Sequence, residues 1–247
     1  MLSTSSTPPI AGWWLNVYQG AGEASGCFVS SLPRPTRSTF LAAADPTRSR
    51  EEAARRAKGM VRRYCAANGL NRLGTLTYEG EGNHDPKRLR RDLAEFFRSL
   101  RSEVDRDLPY LWVPEWHKTD HGLHAHFAVG RYVPVGVIKK AWGRGFVHIK
   151  LLSDLPVGSG TLAESRKAAS YLSKYVSKSF DERRISGLHR YDSAQGFKPA
   201  AVRIHGTSEL NVIEKAIAFM GAEPIYSWSS RQVEDWAAPP ALWMAWA

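Results

Sequence analysis

Glu115-Trp116-His117-Lys118-Thr119-Asp120-His121-Gly122-Leu123-His124-Ala125-His126 gathers four of the chain's eight histidines and a carboxylate into twelve positions. Two apolar runs, Tyr110 to Trp116 and Leu123 to Val129, flank a polar turn at Thr119-Asp120-His121-Gly122, a pattern that predicts a β-hairpin. Side chains alternate faces along a strand, so His124 and His126 project together while Ala125 faces the other way. Glu115, on the partner strand, can supply an oxygen as third ligand. His117 and His121, near the turn, can take that place instead or remain solvated. A mixed nitrogen and oxygen set with open positions suits Mg²⁺ or Mn²⁺, hard or borderline ions that also hold phosphate oxygens. A structural zinc module fits poorly, because Cys27 and Cys65 are remote from the histidines.

Working outward, Leu73 to Tyr78 reads as a strand and Gly80 to Asn83 as a Gly-rich loop. Amphipathic spacing predicts helices from Glu51 to Asn68 and from Asp85 to Val104, the latter burying Leu89, Leu93, Phe96, Phe97 and Leu100. A short helix from Val135 to Trp142, a strand from Phe146 to Leu152, a long helix from Leu162 to Phe180 and a helix from Glu209 to Met220 follow. Such interleaving predicts an α+β fold, a central, mainly antiparallel sheet flanked by helices. Residues 1–46 are rich in Ser, Thr, Pro and Gly around one apolar island, Trp13 to Tyr18, and are expected to form a loosely ordered arm. The main domain is expected over 47–183. Residues 184–247 are expected to be a C-terminal extension packed on that domain, its terminal tryptophans capping a core, stacking bases or binding another subunit.

At 247 residues and 43% hydrophobic, the chain can bury a substantial core. Lysine and arginine number 34 against 24 acidic residues, a formal charge of +10, which makes nucleic acid the first partner to consider. Arg55, Arg56, Arg62, Arg63, Arg88, Arg90 and Arg91 are candidates to track phosphates, or the solvated faces of two helices. Of these Arg62, Arg63, Arg90 and Arg91, with Thr77, are taken as DNA contacts. No apolar run approaches the ~20 residues of a membrane span, and Met1 to Pro9 has no signal-peptide pattern. Two distant cysteines fit a reducing setting, so a bacterial cytoplasmic location is expected.

The second constellation is Tyr171-Leu172-Ser173-Lys174-Tyr175-Val176-Ser177-Lys178. On a helix Tyr171 and Tyr175 lie one turn apart on one face, with Lys174 and Lys178 lined up beside them. A phenol of pKa ~10 is a poor nucleophile at neutral pH and needs nearby positive charge or a metal polarising the electrophile. The lysines and the proposed metal meet both needs. The same stripe would also pack a core with a solvated lysine edge.

Taken in order, these motifs resemble those of the HUH endonucleases, and within them the two-tyrosine rolling-circle replication initiators of bacterial plasmids and single-stranded DNA phages. Gly74-Thr75-Leu76-Thr77-Tyr78 looks like the family's first motif and His124-Ala125-His126 like its second. Tyr171 to Lys178 matches the third, Tyr-x-x-Lys-Tyr-x-x-Lys, in full, and Trp142-Gly143 through Gly145 to Ile149 looks like the connection between the last two. The resemblance covers about Arg72 to Lys178. It implies a five-stranded antiparallel sheet flanked by helices and a metal held by His124, His126 and Glu115. It further implies a tyrosine that attacks single-stranded or extruded origin DNA, giving a 5′-phosphotyrosine and a 3′-hydroxyl primer. Comparison with one-tyrosine relatives makes Tyr175 the first nucleophile and Tyr171 the second, with Lys174 and Lys178 stabilising phenolate or phosphate charge. Gly158-Ser159-Gly160-Thr161 lacks the lysine of a Walker A loop, so strand separation is expected from a host helicase, and synthesis from a host polymerase. A two-tyrosine transposase, a mobilisation relaxase and a non-catalytic origin-binding protein are the alternatives.

Overall fold

The computed structural model describes residues 11–30, 46–150, 160–181, 185, 188–236 and 238–247. Its strands are β1 (Gly12–Tyr18), β2 (Glu23–Val29), β3 (Arg72–Tyr78), β4 (Tyr110–Trp116), β5 (Leu123–Val129), β6 (Gly145–Lys150), β7 (Asp192–Ser193), β8 (Val202–Gly206), β9 (Tyr226–Ser229) and β10 (Ala241–Ala245). The helices are α1 (Pro46–Ala67), α2 (Pro86–Glu103), α3 (Val135–Trp142), α4 (Gly160–Asp181) and α5 (Glu209–Met220). The architecture is α+β, with two five-stranded antiparallel sheets ordered β6-β3-β5-β4-β7 and β8-β1-β2-β10-β9. Each sheet belongs to one of two compact units, Asp45–Pro199 and Met1–Ala44 with Ala200–Ala247. Among the described residues no helix is long and apolar enough to cross a membrane, and both cysteines are free thiols.

The first sheet is covered on both faces, and alternation decides what each face meets. Leu76 and Tyr78 of β3, Trp112 of β4, and Ala125 and Phe127 of β5 face α2, which buries Leu89, Leu93, Phe96, Phe97 and Leu100 against them. Each such side chain contributes ~1.5–3 kcal/mol by leaving water. Asp85 caps α2 by accepting from the Lys87 backbone N–H, with Pro86 in the first turn, where a missing N–H costs nothing. The opposite face carries Leu73, Leu111, Val113 and Ala128, covered by Val61, Tyr64 and Cys65 of α1 and Ala168, Ala169, Leu172 and Val176 of α4. The histidine pair of β5 lies on this second face, under α4.

The β4–β5 turn is clamped from outside the hairpin. Gly122 sits at φ 80°, a left-handed conformation, and backbone of Asn83 lies where a Cβ would be. That close approach lets Leu123 N–H donate to the Asn83 carbonyl at 2.6 Å, tying the loop after β3 to the turn beside the site.

The second sheet differs from expectation. Residues 1–46 are read above as a loosely ordered arm, yet 12–29 form the β1–β2 hairpin, pairing outward with β8 and β10. Trp13, Leu15 and Val17 alternate inward onto Val212 and Ala216 of α5 and Leu242 and Met244 of β10. Residues 200–247 therefore join the N-terminal hairpin in their own unit, whereas Asp192–Ser193 extends the first sheet beyond β4. Residues 1–10 and 31–45 of the expected arm, 151 and 152 of the expected strand, and Gly158-Ser159 lie outside the described residues.

Candidate active site

Register across the first sheet assembles the site. Glu115, His124, Thr77 and Phe146 face one another in a row running from β4 through β5 and β3 to β6. Val113, His126, Thr75 and His148 form the next row. Directly paired residues of antiparallel strands share a face, so both rows point toward the α1 and α4 side.

The histidines are 7% and 5% exposed. Glu115 Oε2 lies 2.9 Å from His124 Nε2 and 2.8 Å from His126 Nε2, and the two nitrogens are 3.1 Å apart. One atom from each residue thus converges on a common point, the arrangement of a three-residue metal site. A proton on each nitrogen would satisfy the two contacts to the carboxylate but leave the N–H groups facing each other. A single cation satisfies all three contacts. An octahedral ion with bonds of about 2.1 Å separates adjacent ligand atoms by roughly 3.0 Å, so the donor set fits a divalent ion of that kind.

The surroundings orient these ligands. Thr75 Oγ1 lies 2.9 Å from His126 Nδ1, and with the proton on Nδ1 the hydroxyl oxygen accepts it and leaves Nε2 free to ligate. His124 Nδ1 is buried without a hydrogen-bond partner among the described residues, so His126 is the better fixed of the two rings. Lys178 Nζ donates to Glu115 Oε1 at 2.8 Å, leaving Oε2 for the cluster. Burial pushes the Glu115 carboxyl up, but hydrogen bonds from His124, His126 and Lys178 outweigh it and hold the group well below the usual carboxylate range. Burial also pushes the His126 imidazole below its ordinary value, against the raising contact with Glu115.

Directly above lies the tyrosine pair of α4. The Tyr175 ring stacks on His126, and its hydroxyl donates to that of Tyr171 at 2.7 Å. Tyr171 meets the same imidazole edge-on at 6.0 Å. Cations approach both phenols, Lys178 Nζ at 5.3 Å from the Tyr175 ring centre and Lys150 Nζ at 5.0 Å from that of Tyr171. Burial, the hydrogen bond to Tyr171 and the Glu115 charge push the Tyr175 phenol above its ordinary pKa.

Six of the sequence-derived residues, Glu115, His124, His126, Tyr171, Tyr175 and Lys178, come together. Lys174 does not join them; it is exposed on α4. His121 Nε2 is 2.7 Å from the Tyr78 carbonyl and His117 Nδ1 2.7 Å from Thr119 Oγ1, so Glu115 is the third member of the cluster. Thr77 lies beside His124 on the same face. The four arginines do not form one track, because Arg62 and Arg63 are on α1 and Arg90 and Arg91 on α2, helices that cover opposite faces of the sheet. Sequence reasoning missed Thr75 and Lys150 as neighbours of the site. Their signal is register, since Thr75 pairs with His126 only once β3 is laid beside β5.

The family model for replication-associated proteins of the ORF2 type matches residues 71–180, the segment from β3 to α4 that carries every residue of this cluster. That segment, a little under half of the chain, is similar to the replication-associated proteins of that family. No curated protein and no solved structure gave a significant match.

Proposed function

We propose that this protein initiates rolling-circle replication by nicking one DNA strand at an origin through a tyrosine, and rejoins strands at termination. The observation that carries this reading is the hydrogen-bonded Tyr171–Tyr175 pair stacked over the Glu115, His124 and His126 cluster. Similarity to replication-associated proteins over the same residues and the +10 charge support it. Mg²⁺ or Mn²⁺ held by Glu115, His124 and His126 would supply Lewis-acid polarisation of the scissile phosphate.

Tyr175 is the first nucleophile. Its oxygen bonds to phosphorus as the bond from phosphorus to the 3′ oxygen breaks, leaving a 5′-phosphotyrosine. The phenolic proton leaves along the hydrogen bond to Tyr171 and on to solvent, and the departing 3′ oxygen takes up a proton to become the hydroxyl that primes a host polymerase. Lys178 keeps Glu115 oriented and lends positive charge to the phenolate. One ester replaces another, so the linkage retains the energy needed for rejoining. Tyr171, one helical turn away, cuts the regenerated origin while Tyr175 holds the parent strand. A host helicase separates the duplex.

The test is a denaturing gel of end-labelled single strands covering the origin of the parent replicon, with Mn²⁺ or with EDTA. A metal-dependent cut with label on the protein, lost in Tyr171→Phe/Tyr175→Phe, is the expected result. Tight binding with neither cut nor adduct would instead mark an origin-binding protein.

A further inference from the structure

We propose that the outer face of β6 is a stacking platform for the DNA strand beside the metal cluster, with Phe146 holding a base next to the scissile phosphate and Lys150 a backbone phosphate. This rests on the nicking reading of the same site. Alternation divides β6 cleanly: Val147 and Ile149 pack into the α2-side core, whereas Phe146, His148 and Lys150 are exposed on the other face. Register puts that face beside the ligands, since Phe146 ends the row that begins at Glu115 and His124, and His148 ends the row of His126 and Thr75.

Phe146 is 69% exposed. An edge-strand position facing water ordinarily takes a polar side chain, and a large ring left there gains nothing from folding. Between it and the histidines lie only Thr75 and Thr77, short uncharged side chains, and α4 packs over β4 and β5. Neighbouring strands are ~4.8 Å apart, so β6 lies about 10 Å from β5, within the span of one or two nucleotides. An aromatic ring, an imidazole and an ammonium in a line continuing from a phosphate-directed cluster match the alternating bases and phosphates of a single strand. Lys150 already reaches toward Tyr171, which places positive charge where the strand would leave the tyrosine pair. Base stacking on Phe146 is tolerant of sequence, so it grips and aligns the strand without reading it.

Binding is measured on the full chain in EDTA, by fluorescence anisotropy, with labelled dT20 and with a 20-unit abasic deoxyribose-phosphate strand. Phe146→Ala is expected to weaken dT20 binding roughly 5- to 100-fold, leave the abasic strand within about twofold, and be rescued by Phe146→Trp. Lys150→Ala is expected to weaken both strands and lower the salt slope by about 0.7. The platform is overturned if the parent fails to bind dT20, if Phe146→Ala binds it as the parent does, or if both strands lose the same factor. Failure of the nicking reading is separately visible, as absence of a protein–DNA adduct in the parent with metal.

Discussion

The Tyr175 ring lies face to face with the His126 imidazole, ring centres 3.6 Å apart and planes 18° from parallel. The proposed nucleophile is therefore also a wall of the metal site, and the two roles can be separated by substitution. Tyr175→Phe keeps the stack and removes the hydroxyl. It is expected to hold Mn²⁺ within about twofold of the parent, by calorimetric titration, while the first-strand adduct falls at least 10²-fold. Tyr175→Ala should also loosen the metal. Equal Mn²⁺ affinity in the two variants would show that the stack does nothing for the ligand.

Thr75 acts on the same imidazole from the other side, through Oγ1 at 2.9 Å from Nδ1. Thr75→Val keeps the shape and deletes the acceptor, leaving a buried ring N–H unpaired. The expected loss is about 10- to 100-fold in metal affinity, as for other partners that orient metal-bound histidines, and ~1–3 kcal/mol of stability in urea. Thr75→Ser should recover most of both. A Val variant that binds Mn²⁺ normally would mean that Thr75 does not orient the ring.

These relationships mark where sequence reasoning stops. The β4–β5 hairpin and the shared face of His124 and His126 were legible because a polar turn and a two-residue period are local signals. Tyr171 and Tyr175 were legible from helical spacing. Thr75 opposite His126 was not, because it depends on how β3 registers against β5, some fifty residues away. The β1–β2 hairpin was hidden for a similar reason. Its Gly and Ser content reads as loop, and the inward set Trp13, Leu15 and Val17 finds its cover only on α5 and β10, from the far end of the chain. The arginine pairs looked alike in sequence and were divided by the sheet between their helices.

Acid should weaken the metal-free protein through this cluster. The His126 imidazole is held below its ordinary pKa and the Glu115 carboxyl well below its own, so the folded state binds fewer protons than the unfolded one. For both groups the stability is present above the unfolded pKa and is lost as pH falls toward the folded one. That window opens below about 6.5 for His126 and below about 4.3 for Glu115. Urea midpoints in EDTA should therefore decline from pH 7 to 5, with a shallower decline in His126→Asn. Lys178→Gln removes one of the contacts holding Glu115 low, so its acid limb should begin at higher pH. A His126→Asn profile parallel to that of the parent would remove His126 from this account.

The glycine that opens the first motif has a packing reason. A Cβ built at Gly74 would run into the Phe127 ring, which is 1% exposed between α2 and the sheet. Phe127 in turn meets Phe96 and Phe97 edge to face, at ring-centre distances of 5.5 and 6.3 Å, so it has no free direction in which to retreat. Gly74→Ala is expected to cost ~1–3 kcal/mol by overpacking, against the small gain an alanine ordinarily brings to a strand. Phe127→Leu alone should also destabilise, by loss of ring contacts. The double variant should be less destabilised than the two single losses added together, because the smaller side chain makes room for the new methyl. Urea unfolding of the four proteins measures the coupling directly. Strict additivity would mean that the sheet shifts to absorb the methyl, and that the glycine owes its place to something other than Phe127.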